Sequence, residues 1–253
     1  MTAVSDIYDY IDSFAPFSSA ESWDNVGVLV GDKKSAVTKV LLSLDITNGV
    51  VEEAHDIGAD LIVSHHPIIF GGLKRLSSDS PVYRAAKYDI SCLCAHTNLD
   101  KSPVFGVNTA LAAAIGLVDC RPCENNEILF TANTTEITDP GSLAAKIKKN
   151  LKMSAVPFTE YNMEIKKVGL CSGAGGSEIF SAIAEGCDAF VTGEIKHHEL
   201  LAANEAGMST FILGHYHSED VVIAPLAQKL SEAFEDISFE KSKTFGDGVG
   251  VLI

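Results

Sequence analysis

The chain alternates short apolar runs with longer stretches in which apolar positions recur every three or four residues. The runs at 39–44, 60–64, 90–95, 168–171, 189–192, 210–213 and 248–252 are rich in Val, Ile, Leu and Phe. Lacking polar alternation, they predict strands buried on both faces of a sheet. The longer stretches predict helices over 5–14, 49–57, 82–87, 108–115, 142–151, 178–184, 198–206 and 218–234. Strand and helix taking turns in this way predicts an α/β fold.

The pattern also repeats. Val40, Ala54, Gly58, Asp60 and Val63 lie over Val168, Ala182, Gly186, Asp188 and Val191 at a constant offset of 128 residues. Each copy reads strand, turn, helix, Gly-x-Asp, buried strand. Further on, Cys94-Ala95-His96-x-x-x-Asp100 lies over Leu213-Gly214-His215-x-x-x-Glu219, at an offset of 119. The difference falls where the first copy carries the polar loop 71–81. The expectation is two similar α/β lobes, residues 1–125 and 126–253, on a continuous chain.

Composition changes the picture little. Of 253 residues, 46% are hydrophobic, which suits an ordinary globular chain able to build a core without disulfides. Acidic residues outnumber basic ones 34 to 19, and the first 125 residues carry 16 against 9, so the excess is spread evenly. Such a chain has no electrostatic means of gripping a phosphate backbone, which weighs against nucleic-acid binding. No apolar run reaches the ~18 residues needed to span a bilayer, and no basic apolar leader opens the chain, so a cytoplasmic protein is expected. Cys92, Cys94, Cys171 and Cys187 sit among apolar residues and read as reduced core cysteines. Cys120-Arg121-Pro122-Cys123 has neither a second pair for zinc nor a clear strand-to-helix setting for redox chemistry.

Histidine is what stands out. Seven of the eight fall at four points of the chain: His65-His66, His96, His197-His198, and His215 with His217. His96 with Asp100, and His215 with Glu219, have the four-residue spacing that puts imidazole and carboxylate on one helical face. One such pair is more often a surface hydrogen bond; two, at equivalent points of two related lobes, favour a divalent cation. His65-His66 end a buried strand just before Pro67, where parallel sheets gather their functional groups. His65, His66, His96, Asp100, His215 and Glu219 are too many donors for one tetrahedral zinc with an open position, and suit two metals bridged by a carboxylate. With no cysteine in the set, Zn, Mn, Fe and Co all fit.

Other features stay open. Glu194, in Thr192-Gly193-Glu194, either reaches the same cleft to position substrate or caps a solvated helix start beside His197 and His198. His217 is expected to support the site or line its cleft, and His55 needs no function. The turn Cys171-Ser172-Gly173-Ala174-Gly175-Gly176-Ser177 is either an anion cradle or simply a tight turn.

Taken together, Trp23-Asp24-Asn25-x-Gly27-x-x-x-Gly31-Asp32, Ser64-His65-His66-Pro67, Ala95-His96-Thr97-Asn98-Leu99-Asp100, Thr192-Gly193-Glu194 and Gly214-His215-x-x-x-Glu219 resemble the GTP cyclohydrolase I type 2 homologue, or Nif-three-like, family. The resemblance runs in order over most of the chain. It implies a two-lobed α/β fold with a dinuclear metal site in the cleft between lobes, and assembly into a toroidal homohexamer. It places the metal ligands on His65, His66, Asp100, His215 and Glu219, with Glu219 as the bridge and His96 beside the site. The extra domain that longer members carry between the lobes has no counterpart here. The activity expected is hydrolysis of a nucleotide or similar small anion. The alternatives are a non-catalytic metal-binding scaffold and a two-metal phosphoesterase.

Overall fold

A computed structural model describes residues 1–244 together with Gly246 and Gly248. It is a mixed α/β structure with two five-stranded sheets, each in its own compact unit. One unit comprises Met1–Phe105 and Val222–Gly246; the other is built on Gly106–Val221. The elements run α1 Val4–Asp12, β1 Gly27–Val30, β2 Lys39–Ser43, α2 Asn48–Asp56, β3 Leu61–Ser64, α3 Pro81–Lys87, β4 Ser91–Cys94 and the single turn α4 Thr97–Asp100. The second unit follows with α5 Val107–Ala114, β5 Val118–Cys123, β6 Asn126–Thr138, α6 Pro140–Asn150, β7 Ile165–Cys171, α7 Ile179–Ala184, β8 Ala189–Thr192, α8 His197–Glu205, β9 Ser209–Ile212 and α9 His215–Glu219. The chain then rejoins the first unit with α10 Ile223–Ala233 and β10 Ser238–Lys241.

The first sheet has the order β1-β4-β3-β2-β10. Only β1 runs antiparallel to its neighbour; β10, β2, β3 and β4 are parallel. Every residue of β3 and β4 is buried, as their unbroken apolar runs predict. On one side Leu41, Ile62 and Cys92 pack with Val50, Val51 and Ala54 of α2 and Ala85 of α3. The second sheet, β5-β6-β7-β8-β9, is antiparallel through β7 and parallel beyond it. Phe130, Leu170, Val191 and Phe211 there pack with Leu111 of α5, Ile115 just after it and Ile147 of α6.

The parallel pairs β2–β3 and β7–β8 start the same way. Gly58 and Gly186, at φ +69° and +67°, end α2 and α7 in the left-handed conformation. Two residues later Asp60 Oδ2 accepts from the backbone amides of Thr38 and Lys39 at 2.7 and 3.1 Å. Asp188 Oδ2 does so from those of Lys166 and Lys167 at 2.9 and 2.7 Å. Each aspartate thereby ties the start of one strand to the start of its neighbour.

All six strands expected before residue 248 are present, and the expected strand 248–252 extends outside the described residues. Four strands were not expected: β1, β5, β6 and β10. The expected helix 218–234 is divided into α9, a 3₁₀ turn at Asp220–Val222 and α10. Pro225 explains the break. Lacking an amide hydrogen, it is tolerated in the first turn of a helix, so α10 begins just before it.

Candidate metal-binding site

In both units the functional side chains stand at the carboxyl ends of the parallel strands, where the ladder stops and backbone turns away. In the first unit β2 is followed by Leu44-Asp45, β3 by His65-His66 and β4 by Ala95-His96. Their side chains converge. The His65, His66 and His96 rings lie 5.1 to 5.5 Å apart, and each offers a nitrogen within 4.8 Å of those of the other two. Asp100, buried on α4, brings Oδ1 to 3.6 Å from His65 Nε2.

Each of these histidines is held by its other nitrogen. His65 Nδ1 lies 3.0 Å from the Ala95 carbonyl oxygen, which can only accept, so Nδ1 carries the proton. His66 Nδ1 donates to Asp45 Oδ1 at 2.9 Å, and His96 Nδ1 to Asp24 Oδ1 at 2.8 Å. Asp24 is fixed in turn, its Oδ2 accepting from the Thr97 amide at 3.1 Å and hydroxyl at 2.5 Å. Burial alone would raise the Asp24 carboxyl, but the hydrogen bonds from His96 and Thr97 outweigh it and bring it down to about 2.

The second unit repeats the device on a single histidine. Gly214, at φ +74°, turns the chain from β9 into α9, whose first residue is His215. His215 Nδ1 donates to Glu194 Oε1 at 2.9 Å, and its Nε2 lies 3.0 Å from Glu219 Oε2 one turn later. With Nδ1 protonated, an Nε2 lone pair and a carboxylate oxygen at that distance need a cation with them, either a proton or a metal. Gly173 makes the room. Its φ is +59°, and a Cβ there would lie 2.0 Å from Glu219 Oε1 and 3.3 Å from His215 Nε2.

These donors fit a divalent cation on two grounds. Four histidines from two units have Nδ1 tethered to an acceptor, and this orients Nε2 as the ligating atom. The accompanying donors are carboxylates, which suit a hard or borderline divalent ion.

Glu194 does not cap α8; Lys196 precedes that helix, and Glu199 Oε2 accepts from the Lys196 amide. Glu194 instead orients His215. His197 and His198 are exposed at the start of α8. His217 lines a cavity of about 510 Å³ in the second unit with Tyr216, Met153, Pro157 and Ile212, next to His215. His55 stacks on Tyr88 at 4.0 Å. The glycines after β7 are packing glycines: a Cβ on Gly175 would meet Cys171 Sγ at 2.5 Å, and one on Gly176 the Glu194 carbonyl oxygen at 2.6 Å. Cys120 and Cys123 lie within the antiparallel strand β5, and among the described residues no disulfide forms. Asp45 carries no signal in the sequence, and Asp24 is legible there only as part of the Trp23-Asp24-Asn25 motif. No helix among the described residues is long and apolar enough to cross a membrane.

A sequence model of the Duf34/NIF3 (NGG1p interacting factor 3) family matches residues 2–246. The chain belongs to the DUF34/NIF3 family. A relative from Clostridium perfringens, named GTP cyclohydrolase 1 type 2 homolog, is 31% identical over 96% of this chain and 97% of its own length. One of the same name from Campylobacter jejuni is 32% identical over 90% and 91%. The crystal structure of Staphylococcus aureus protein SA1388 superimposes with a TM-score of 0.91 at 30% identity, covering 99% of both chains. The DUF34/NIF3 fold thus extends over the whole described chain, and the tethered histidines sit within it.

Proposed function

We propose that this DUF34/NIF3 chain is a metal-dependent hydrolase with two divalent ions per chain, acting on a nucleotide or similar small anionic substrate. In this reading His65, His66, Asp100, His215 and Glu219 would hold the ions, and the two α/β units are copies of one ancestral unit. The observation that carries it is the set of four histidines whose Nδ1 atoms are all tied to acceptors. The shared role of Asp60 and Asp188 supports the internal repeat. Divalent ions bound there supply Lewis-acid polarisation of substrate and activation of water.

The chain's own residues do the rest. Asp24, Asp45 and Glu194 fix the imidazoles of His96, His66 and His215 before any ligand arrives, so little reorganisation remains at the moment of reaction. Assembly into a toroidal hexamer belongs to the same reading, and sedimentation velocity measures it directly.

Metal analysis of protein purified without chelators tests the core claim. Two ions per chain are expected, lowered by His65→Ala, Asp100→Ala, His215→Ala or Glu219→Ala and unchanged by His198→Ala. One ion, or none that His215→Ala removes, overturns the dinuclear centre. A nucleotide screen assayed separately for formate and for phosphate release then distinguishes ring hydrolysis from phosphoesterase activity. Absence of both, with two ions bound, favours the scaffold.

A further inference from the structure

Beside the histidines of the first unit lies an aromatic surface that packing does not explain. Trp23 is 59% exposed and Phe70 63%, and their ring centroids are 6.1 Å apart. Both also stand 6.2 Å from the His96 ring, each presenting a steep angle to it. Large aromatic side chains contribute most when buried, so two of them left open and adjacent form a patch suited to a partner.

The patch is held in place. Asn25 Nδ2 donates to the Ile69 carbonyl oxygen at 2.6 Å, and this ties the segment carrying Trp23 to the one carrying Phe70. Asp24, between Trp23 and Asn25, is anchored to His96 and Thr97. Four and five residues beyond Phe70 come Lys74 and Arg75, both exposed, on a chain whose net charge is −15. An anion approaching so acidic a protein needs a local source of positive charge, and the loop that follows Phe70 carries one four and five residues along the chain.

We propose that Trp23 and Phe70 form a stacking ledge for the base of a nucleotide, with Lys74 and Arg75 neutralising its phosphate. A base offers a flat π-face that an indole accepts at whichever position is open, and stacking of this kind tolerates one exposed side. Seated there, the base lies against His96. The inference rests on the nucleotide-hydrolase reading and names the residues that would recognise that substrate.

Trp23 is the sole tryptophan among six tyrosines, so fluorescence excited at the red edge, where only indole absorbs, reports on the ledge. GMP, AMP, ribose 5-phosphate and inorganic phosphate are titrated into the full chain, both chelator-treated and loaded with metal. Saturable quenching is expected with GMP and AMP and not with the two baseless compounds. By calorimetry Trp23→Ala should weaken GMP binding roughly 5- to 150-fold, with Trp23→Phe retaining most of the affinity. Replacing both Lys74 and Arg75 with Ala should weaken it further at low salt and flatten its salt dependence. GMP binding of equal strength to the Trp23→Ala, Phe70→Ala double variant overturns the ledge, as does absence of quenching by either nucleotide. A change in sedimentation coefficient in that double variant, with GMP affinity intact, overturns it in favour of a contact between copies of the chain. Metal analysis of the same samples separates the two readings. Two bound ions without nucleotide quenching overturn the ledge alone, whereas quenching in a metal-loaded sample that retains no ion keeps the ledge and removes the metal centre.

Discussion

Glu194 Oε1 accepts a 2.9 Å hydrogen bond from His215 Nδ1, although Glu194 follows β8 and His215 follows β9. The contact exists because β8 and β9 are parallel neighbours and end side by side. Glu194→Ala is therefore expected to weaken metal binding roughly 10- to 100-fold. Glu194→Gln, whose amide oxygen still accepts from Nδ1, should lose less. Competition with a chromogenic chelator measures both, and an unchanged affinity in the Ala variant detaches Glu194 from the site.

Gly173 gives a second handle on the same cluster. An alanine there would be strained by its left-handed backbone and would press on Glu219 Oε1. Gly173→Ala is expected to destabilise the fold by about 1–2 kcal/mol and to lower metal content. Gly58→Ala makes the control, since φ is also positive there but no atom lies within 4 Å of the added Cβ. It should cost about as much backbone energy, with metal content unchanged. Equal metal content in both variants would remove Gly173 from the site.

Glu53 ties α2 to the segment after β10. Its carboxylate accepts from the Ser242 hydroxyl at 2.5 Å and from the amides of Lys243 and Thr244 at 2.9 and 3.2 Å. Burial raises the Glu53 carboxyl, but these hydrogen bonds lower it further, leaving it below the ordinary 4.5. A carboxylate lowered by folding stabilises the protein above its unfolded value, and that stabilisation is lost as pH falls through the folded value. Glu53→Gln should thus cost about 1 kcal/mol in urea unfolding at pH 7, with the gap closing under acid. A gap independent of pH would contradict this.

Burial pushes the Cys92, Cys120 and Cys187 thiols up to about 12, and Cys94 well above its ordinary value. At pH 8 roughly one in ten thousand of a thiol at 12 is ionised. These cysteines should resist alkylation in the native protein and react fully in guanidinium. Fast native labelling of Cys120 and Cys123 would revive a redox role for that pair.

The parallel core was legible because Leu61-Ile62-Val63-Ser64 and Ala189-Phe190-Val191-Thr192 are buried on both faces and carry unbroken apolar runs. The missed strands lack that signature. β5, Val118–Cys123, has only Cys123 fully buried and includes Pro122. β1 is four residues enclosed by Gly27 and Gly31, both at positive φ. In β10, Ser238-Phe239-Glu240-Lys241 is a strand only because β2 lies beside it. The site divides in the same way. His65, His66, His96 and His215 declare themselves by residue type and position after a strand. Asp45 is one aspartate among many until the β2–β3 pairing brings its carboxylate to His66.

The pairing of β10 with β2 sets the order in which the molecule can be completed. Ser238 aligns with Lys39 and Lys241 with Leu42, so the first sheet gains its fifth strand from nearly the far end of the chain. Until that segment leaves the ribosome, β2 presents an unpaired parallel edge with Leu41 and Leu42 in it. The second unit, contiguous through Gly106–Val221, has all its strands available earlier. During synthesis the domain that begins first is therefore the one that finishes last, with a sticky edge exposed in the interval.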